Sequence, residues 1–232
     1  KTSVDFLEEL NIPIYKIASF EITDIPLIEY IASKGKPIIL STGIADLNDI
    51  EAAINAIRRI GNNEIALLKC TSSYPAPAEE SNLVMIKDYR ERFNLITGLS
   101  DHTLGIQAPI IATSLGAKII EKHLTLNKNL KGPDHKASLD PKEFKTMVNN
   151  IRTTEKMLGS FLKKISKSEK KNIKIVRKSI VALKDITKNE RFTKSNITCK
   201  RPGTGIKPVY FKKILGKKSK RNFKKAELIR LN

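Results

Sequence analysis

Two of the three histidines in this chain, His102 and His123, stand 21 positions apart, each close to the end of an apolar run with strand character. Imidazole nitrogens bind divalent Mn, Zn, Fe or Co, and nearby carboxylates favour Mn or Mg. If the two runs are neighbouring parallel strands, both rings point towards the same edge of the sheet. The spacing therefore suggests a two-histidine metal site. The alternative is two ordinary strand-end histidines that hydrogen-bond to their neighbours.

All five apolar runs of the first 126 residues end in residues that can do chemistry. These are Ser19 and Glu21, Ser41 and Thr42, Thr71 to Tyr74, Ser100 to His102, and Glu121 with His123. Parallel β/α enzymes place their sites at the carboxyl ends of the strands, where the loops converge. Five consecutive runs that follow this rule favour one shared site.

The elements that must position these residues alternate along the chain. Five β-rich runs cover residues 15–19, 36–42, 64–73, 94–101 and 117–126, and helical patterns lie between them. This alternation predicts an α/β fold with a parallel sheet. A barrel gathers five strand ends more readily than an open sheet does. A (β/α)8 barrel needs about 250 residues, so either three strands are missing upstream or the sheet is smaller and open.

Composition limits the class of protein. A chain of 232 residues that is 40% hydrophobic can bury a sizeable core. No apolar run approaches the ~18 residues that span a bilayer, and the chain opens without an apolar leader segment. Cys70 and Cys199 match neither a disulfide framework nor a metal motif. A cytoplasmic location is therefore expected.

Charge divides the chain in two. Residues 1–150 hold 17 basic and 19 acidic side chains, whereas residues 151–232 hold 26 basic and 5 acidic ones. Asp140, Pro141 and Glu143 mark the start of a helix that ends near Gly159. The pattern predicts a first domain over 1–159, a charged linker over 160–176 and a small β-rich domain over 177–232.

Six ordered motifs resemble the sialic acid synthase family, which makes nonulosonic acids. They are YKIASFEITDIPLI, KPIILSTGIADLNDIEAAI, LLKCTSSYPAPAEESNL, GLSDHTLG, IIEKHLTL and GPDHKASLDPKEF. The segment that begins RKSIVALKDITKNERFT looks like the family's small antifreeze-like (SAF) domain. The resemblance implies a TIM barrel of which strands 4–8 are present here, in a chain truncated at its amino terminus.

The resemblance also implies a reaction. Family members condense phosphoenolpyruvate with an open-chain N-acetylated hexose and water, giving a nine-carbon 2-keto sugar acid and phosphate. Such an enzyme is a phosphoenolpyruvate-dependent transferase that forms a C–C bond. In the family a divalent metal, Mn or Mg, acts as a Lewis acid on the sugar aldehyde.

Roles for individual residues follow from the motifs. By resemblance, His102 and His123 hold the metal, Glu21 handles the water that adds to C2, and Asp134 contacts the sugar near its reacting carbon. The remaining positions match residues that grip phosphoenolpyruvate or the sugar: Lys16, Ser19, Ser41, Ser72, Ser100, Tyr74 and Arg201. Ser72 departs from the family pattern, which often has Asn there.

Two questions stay open at this level. The motifs around Lys16 and Tyr74 look like pseudaminate synthases, whereas GPDHKAS is closer to N-acetylneuraminate synthases, and the longer match favours the pseudaminate type. The basic second domain is either a lid that reaches across a domain-swapped homodimer, as the resemblance implies, or a nucleic-acid-binding tail on a degenerate barrel. Its few aromatic residues make nucleic acid the weaker alternative.

Overall fold

The computed structural model describes residues 2–231, and the chain divides into two compact units between Gly159 and Ser160. The first unit has five strands: β1 (Tyr15–Ile17), β2 (Ile38–Ser41), β3 (Ile65–Cys70), β4 (Ile96–Asp101) and β5 (Ile119–Lys122). Its helices are α1 (Thr2–Glu9), α2 (Ile25–Ala32), α3 (Leu47–Arg59), α4 (Met85–Phe93), α5 (Gln107–Ser114) and α6 (Pro141–Leu158). All five predicted strands are present, each shorter than the run that predicted it.

The sheet of the first unit is parallel and keeps the order of the chain, β1-β2-β3-β4-β5. A doubly wound sheet would reverse its strand order at one point, and this sheet does not. Sequential βα units form a half-barrel. The predicted α/β class is thereby confirmed.

Alternation along each strand separates two faces of the sheet. Tyr15, Ile17, Leu40 and Leu67 belong to a buried cluster with residues of α1 to α4. Leu99 packs in the same way against α4 and α5. The helices therefore cover this outer face, and the residues between these positions, such as Lys16 and Ser41, point to the inner face.

Local sequence signals explain where the long helices begin. Asp46 and Asp49 form a reciprocal capping box at the start of α3, and Asp140 and Glu143 form another at α6 with Pro141 in its first turn. The start of α6 agrees with the sequence prediction.

The second unit corrects one prediction. Residues 167–176 of the predicted linker form helix α7 (Lys167–Val176), which begins with a capping box between Ser166 and Glu169. The unit also contains the antiparallel pair β6 (Ser179–Ala182) and β7 (Ile197–Lys200) and the short helix α8 (Phe211–Ile214). Phe192 and Phe223 lie in its small core. No helix within residues 2–231 has the length and apolarity needed to cross a membrane.

Candidate active site

The two sequence-predicted histidines lie side by side. Ser100 of β4 faces Glu121 of β5 in the parallel ladder, so the residues two positions further along, His102 and His123, continue the inner face next to each other. Their ring centroids are 5.2 Å apart, and the rings are perpendicular. The ring of Tyr74 lies 4.1 Å from that of His102 and 5.7 Å from that of His123. The structure thus brings these three predicted residues together.

His102 is held in one orientation. It is buried, and its Nδ1 lies 2.8 Å from the backbone carbonyl oxygen of Thr71. Because a carbonyl only accepts hydrogen bonds, Nδ1 must carry the proton, which leaves the lone pair on Nε2. The Cys70 Sγ lies 3.9 Å from the same Nδ1.

Asp134 approaches the second histidine from a loop. Its Oδ2 is 3.8 Å from Nδ1 of His123. The loop is secured at its base because Leu139 donates its backbone N–H to the carbonyl of His123. The Asp134 carbonyl accepts hydrogen bonds from the backbone N–H groups of Ala137 and Ser138. A carboxylate predicted to contact substrate therefore lies beside His123.

Hydroxyl groups cluster at the ends of the first three strands. The Oγ atoms of Ser19 and Ser72 are 2.9 Å apart. A Cβ on Gly43 would lie 2.0 Å from Ser72 Oγ and 3.1 Å from the Ser19 side chain, so this glycine allows both serines to approach the backbone. Ser41 is buried, and within the described residues its Oγ has no hydrogen-bond partner. Buried polar groups are normally paired, so a free hydroxyl here suits a ligand oxygen.

Glu121 is a site residue that the strand pattern predicts at a strand end but to which no motif assigns a role. Its Oε1 accepts a 2.6 Å hydrogen bond from Ser100 Oγ, and its Oε2 lies 3.5 Å from the Lys16 ammonium. The carboxylate thereby connects two residues predicted to bind phosphoenolpyruvate. The only signal in the sequence was its position two residues before His123.

Burial and hydrogen bonding change several pKa values around the site. Burial raises the pKa of the Tyr74 phenol, so this group stays protonated at neutral pH. Burial alone would raise the pKa of Cys70, but hydrogen bonds with His102, Ser100 and Ser72 outweigh it and lower that pKa. Burial opposes protonation of His102, yet its contacts with Cys70 and Thr71 raise its pKa overall. The pKa values of Cys70 and His102 therefore depend on the contact between these two side chains.

Comparison with known proteins identifies the family of the chain. The NeuB family model matches residues 1–163, and the SAF domain model matches residues 177–232. The chain belongs to the NeuB family.

Named relatives and a solved structure agree with this family. The chain is 50% identical over 230 residues to N,N'-diacetyllegionaminic acid synthase of Campylobacter jejuni, covering 98% of this chain and 69% of that protein. It is 44% identical to pseudaminic acid synthase of Helicobacter pylori, covering 96% and 65%. A crystal structure of the sialic acid synthetase of Leptospira borgpetersenii, with citrate, is 36% identical with a TM-score of 0.68, covering 73% and 59%. The chain spans about two thirds of the length of these relatives.

The site of this NeuB-family chain supplies part of the ligand set of a divalent metal. No hydrogen bond from the described residues engages Nε2 of His102. Ring centroids 5.2 Å apart are close enough for one ion to reach both rings, since each metal–nitrogen bond is about 2.1 Å long. Within residues 2–231 there is no group of three or more His, Cys, Asp or Glu residues placed to hold a metal. The described chain would therefore supply two imidazole ligands.

Two further residues of this NeuB-family chain, Glu21 and Arg201, were predicted to belong to the site. Glu21 ends a single 3-10 turn after Ser19, and within the described residues its half-buried carboxylate has no hydrogen-bond or ion-pair partner. Arg201 lies in the second unit, where its Nε donates a 3.0 Å hydrogen bond to the carbonyl of Val176. Their roles rest on the motifs alone.

Proposed function

We propose that the protein is a nonulosonic acid synthase. It condenses phosphoenolpyruvate with an open-chain N-acetylated hexose and water, and releases phosphate. The observation that carries the proposal is the pair His102 and His123, with Nε2 of His102 unengaged by any of residues 2–231, beside hydroxyl groups that suit an anionic substrate. The names of the relatives support the same reaction class.

The anionic substrate occupies the hydroxyl cluster. Lys16 supplies an ammonium, and the other groups are hydroxyl donors from Ser19, Ser41, Ser72 and Ser100. Hydrogen bonds to charged oxygens are stronger than those between neutral groups, so this set suits the phosphate and carboxylate of phosphoenolpyruvate. The buried Oγ of Ser41 supports this placement, because a ligand oxygen satisfies it.

His102 and His123 would hold a divalent ion, Mn or Mg. When bound, that ion supplies Lewis-acid polarisation of the sugar aldehyde. The Thr71 carbonyl contributes by presenting Nε2 of His102, and the Tyr74 ring packs over this histidine and shields one side of it. Second contacts of this kind orient the imidazoles of metal sites.

The chemistry then needs the chain to move protons. C3 of phosphoenolpyruvate forms a bond to the aldehyde carbon, and the former carbonyl oxygen takes up a proton. Water adds to C2 and loses one proton, and as the C–O bond to phosphate breaks, the remaining hydroxyl proton passes to the departing phosphate and leaves the ketone. Glu21, whose carboxylate has no partner in the described part of the chain, is assigned the proton from water. Asp134, beside His123, is assigned to the sugar end.

The complete enzyme is proposed to be an eight-stranded barrel that works as a domain-swapped homodimer. In this arrangement the SAF unit of one chain covers the partner's site, and Arg201 contacts the N-acetyl group of the sugar. Analytical ultracentrifugation of the protein expressed from its complete gene tests the dimer. A monomer at micromolar concentrations that still turns over substrate would overturn it.

The test of the function is phosphate release from phosphoenolpyruvate by the protein expressed from its complete gene, with Mn²⁺ or Mg²⁺ added. N-acetylmannosamine and the aldose precursors of N,N'-diacetyllegionaminate and pseudaminate are offered in parallel. We expect release with one of these sugars, and loss of release in His102→Ala and His123→Ala. Lys36→Met, remote from the site, serves as the control that keeps full activity.

The opposite result is equally clear. A folded protein that releases no phosphate with any of the sugars would refute the synthase proposal. Salt-sensitive retention of RNA that depends on residues 160–232 would then favour the degenerate barrel with a basic binding tail.

A further inference from the structure

An ion pair lies behind the two histidines, on the other face of the sheet. Asp101 and Lys122 are direct partners in the register of β4 and β5. Because side chains alternate along a strand, both residues point to the outer face, opposite to their neighbours His102 and His123. Lys122 Nζ lies 2.8 Å from Asp101 Oδ2, and their side chains are 0% and 1% exposed, respectively.

The same pair also secures the residue that follows the first histidine. Asp101 Oδ1 accepts a 2.9 Å hydrogen bond from the backbone N–H of Thr103, and Lys122 donates to the Thr103 carbonyl. Asp101 and Thr103, the residues on either side of His102, are therefore bonded to each other, and the Lys122 ammonium contacts both of them. Lys122 itself immediately precedes His123. One buried network thus connects the backbone at both histidines.

Stability does not account for such a pair. Removing two charges from water costs several kcal/mol per ion, and apolar residues of similar volume are often as stabilising or more so. The other ion pairs of this unit are partly exposed, such as Lys36 with Glu8, whose side chains are 21% and 30% exposed. A fully buried pair next to two candidate ligands indicates a geometric role.

We propose that Asp101 and Lys122 are positioning residues that set the distance and orientation between His102 and His123. Neither side chain touches the site itself, because both lie on the helix-covered face. The pair acts by holding the carboxyl ends of β4 and β5 in one register and by fixing the backbone on both sides of His102. This inference rests on the proposed function for its metal, but its test separates the two.

The experiment measures Mn²⁺ affinity by electron paramagnetic resonance on the full chain, without substrate. Two variants are compared with the unaltered protein. Asp101→Asn keeps the shape and removes one charge, and the double variant Asp101→Leu with Lys122→Met replaces the pair by apolar groups. Lys36→Met is the control, since it removes an ion pair of the same unit far from the histidines. Thermal unfolding in the presence of a chelator reports the fold of each protein without metal.

We expect both variants to bind Mn²⁺ about 10- to 100-fold more weakly, the range typical when residues that orient metal ligands are changed, and the control to bind as the unaltered protein does. The double variant keeps a cooperative unfolding transition. A purely structural role would instead change the thermal unfolding midpoint and leave the Mn²⁺ affinity of the folded protein unchanged.

Three outcomes would overturn the proposed positioning role of Asp101 and Lys122. If the unaltered protein binds no Mn²⁺, the metal of the proposed function fails and the positioning role fails with it. If a folded variant binds Mn²⁺ within twofold of the unaltered protein, the positioning role is wrong and the proposed function stands. If neither variant folds, the pair maintains the sheet rather than the histidines, which also overturns the proposal.

Discussion

Nδ1 of His102 and the backbone carbonyl oxygen of Thr71 are 2.8 Å apart, and this contact joins the ends of β3 and β4. It determines the tautomer of a buried imidazole, because a carbonyl cannot donate a proton. A peptide carbonyl, which cannot be removed by substitution of a side chain, therefore orients the nitrogen that we assign to metal binding.

A substitution that keeps the hydrogen bond to the Thr71 carbonyl tests separately whether His102 binds the metal. In His102→Asn, the side-chain amide places an N–H group where Nδ1 stands, but nothing occupies the position of Nε2. We expect the thermal unfolding midpoint to stay close to that of the unaltered protein. Mn²⁺ affinity should fall by more than about a hundredfold, beyond the range typical of outer-shell changes. Titration by electron paramagnetic resonance measures the affinity, and retained tight binding would exclude His102 as a ligand.

Glu121 should compete with phosphoenolpyruvate for Lys16. Its carboxylate lies 3.5 Å from the Lys16 ammonium, and the side chains of Lys16 and Glu121 are 32% and 40% exposed. Exposed pairs contribute about 0.2–1 kcal/mol. Glu121→Gln should therefore tighten phosphoenolpyruvate binding by roughly two- to fivefold, whereas Lys16→Met should weaken it by at least about tenfold. Calorimetric titration gives both values. Equal affinity in all three proteins would remove Lys16 from the anion site.

Alanine substitutions at two glycines of the first unit should affect different properties: one should change stability and the other phosphoenolpyruvate binding. A Cβ on Gly98 would lie 2.2 Å from the Ile119 carbonyl oxygen, which cannot move without displacing β5. A Cβ on Gly43 meets the Ser72 hydroxyl, which can rotate away. We expect Gly98→Ala to lower the free energy of unfolding by about 1–3 kcal/mol. Gly43→Ala should leave unfolding nearly unchanged and weaken phosphoenolpyruvate binding.

Urea unfolding and calorimetric titration, applied to both glycine variants, check this pair of expectations. The two variants act as each other's control, since the chemical change is identical. If Gly43→Ala binds phosphoenolpyruvate as tightly as the unaltered protein, Ser19 and Ser72 do not form part of the anion site.

Lys69 should make stability depend on pH in the alkaline range. It is buried, and its Nζ donates to the Cys70 carbonyl at 2.8 Å and to Thr71 Oγ1 at 2.9 Å. Burial lowers its pKa below the ordinary 10.5. Between the folded-state pKa and 10.5 the unfolded chain binds more protons at this site, so stability rises with pH in that window.

Comparison with Lys69→Met isolates that contribution. The difference in unfolding free energy, unaltered protein minus variant, should increase as pH rises towards 10.5 and level off above it. Substitution of the exposed Lys118 by Met controls for the loss of a positive charge at the surface. A difference that stays constant across the alkaline range would show that Lys69 titrates normally.

Much of the fold follows from local patterns. Apolar runs alternating with amphipathic segments predicted all five parallel strands, and the pattern of Asp140, Pro141 and Glu143 predicted the start of α6. Helix α7 shows the limit of that reasoning. Ser166 and Glu169 have capping-box spacing, yet the high charge of residues 160–176 led to the prediction of a linker. A strong local signal was present and was outweighed by composition.

The sequence by itself determined which residues reach the carboxyl ends of the strands, because alternation and strand order are encoded locally. Only the tertiary structure decided which of them meet. Glu121 of β5 contacts Ser100 of β4 and Lys16 of β1, and Asp101 of β4 pairs with Lys122 of β5. These contacts depend on the register and spacing of strands that are separated in the sequence. Register is set by the packing of the whole sheet against its helices, so no single segment carries that information.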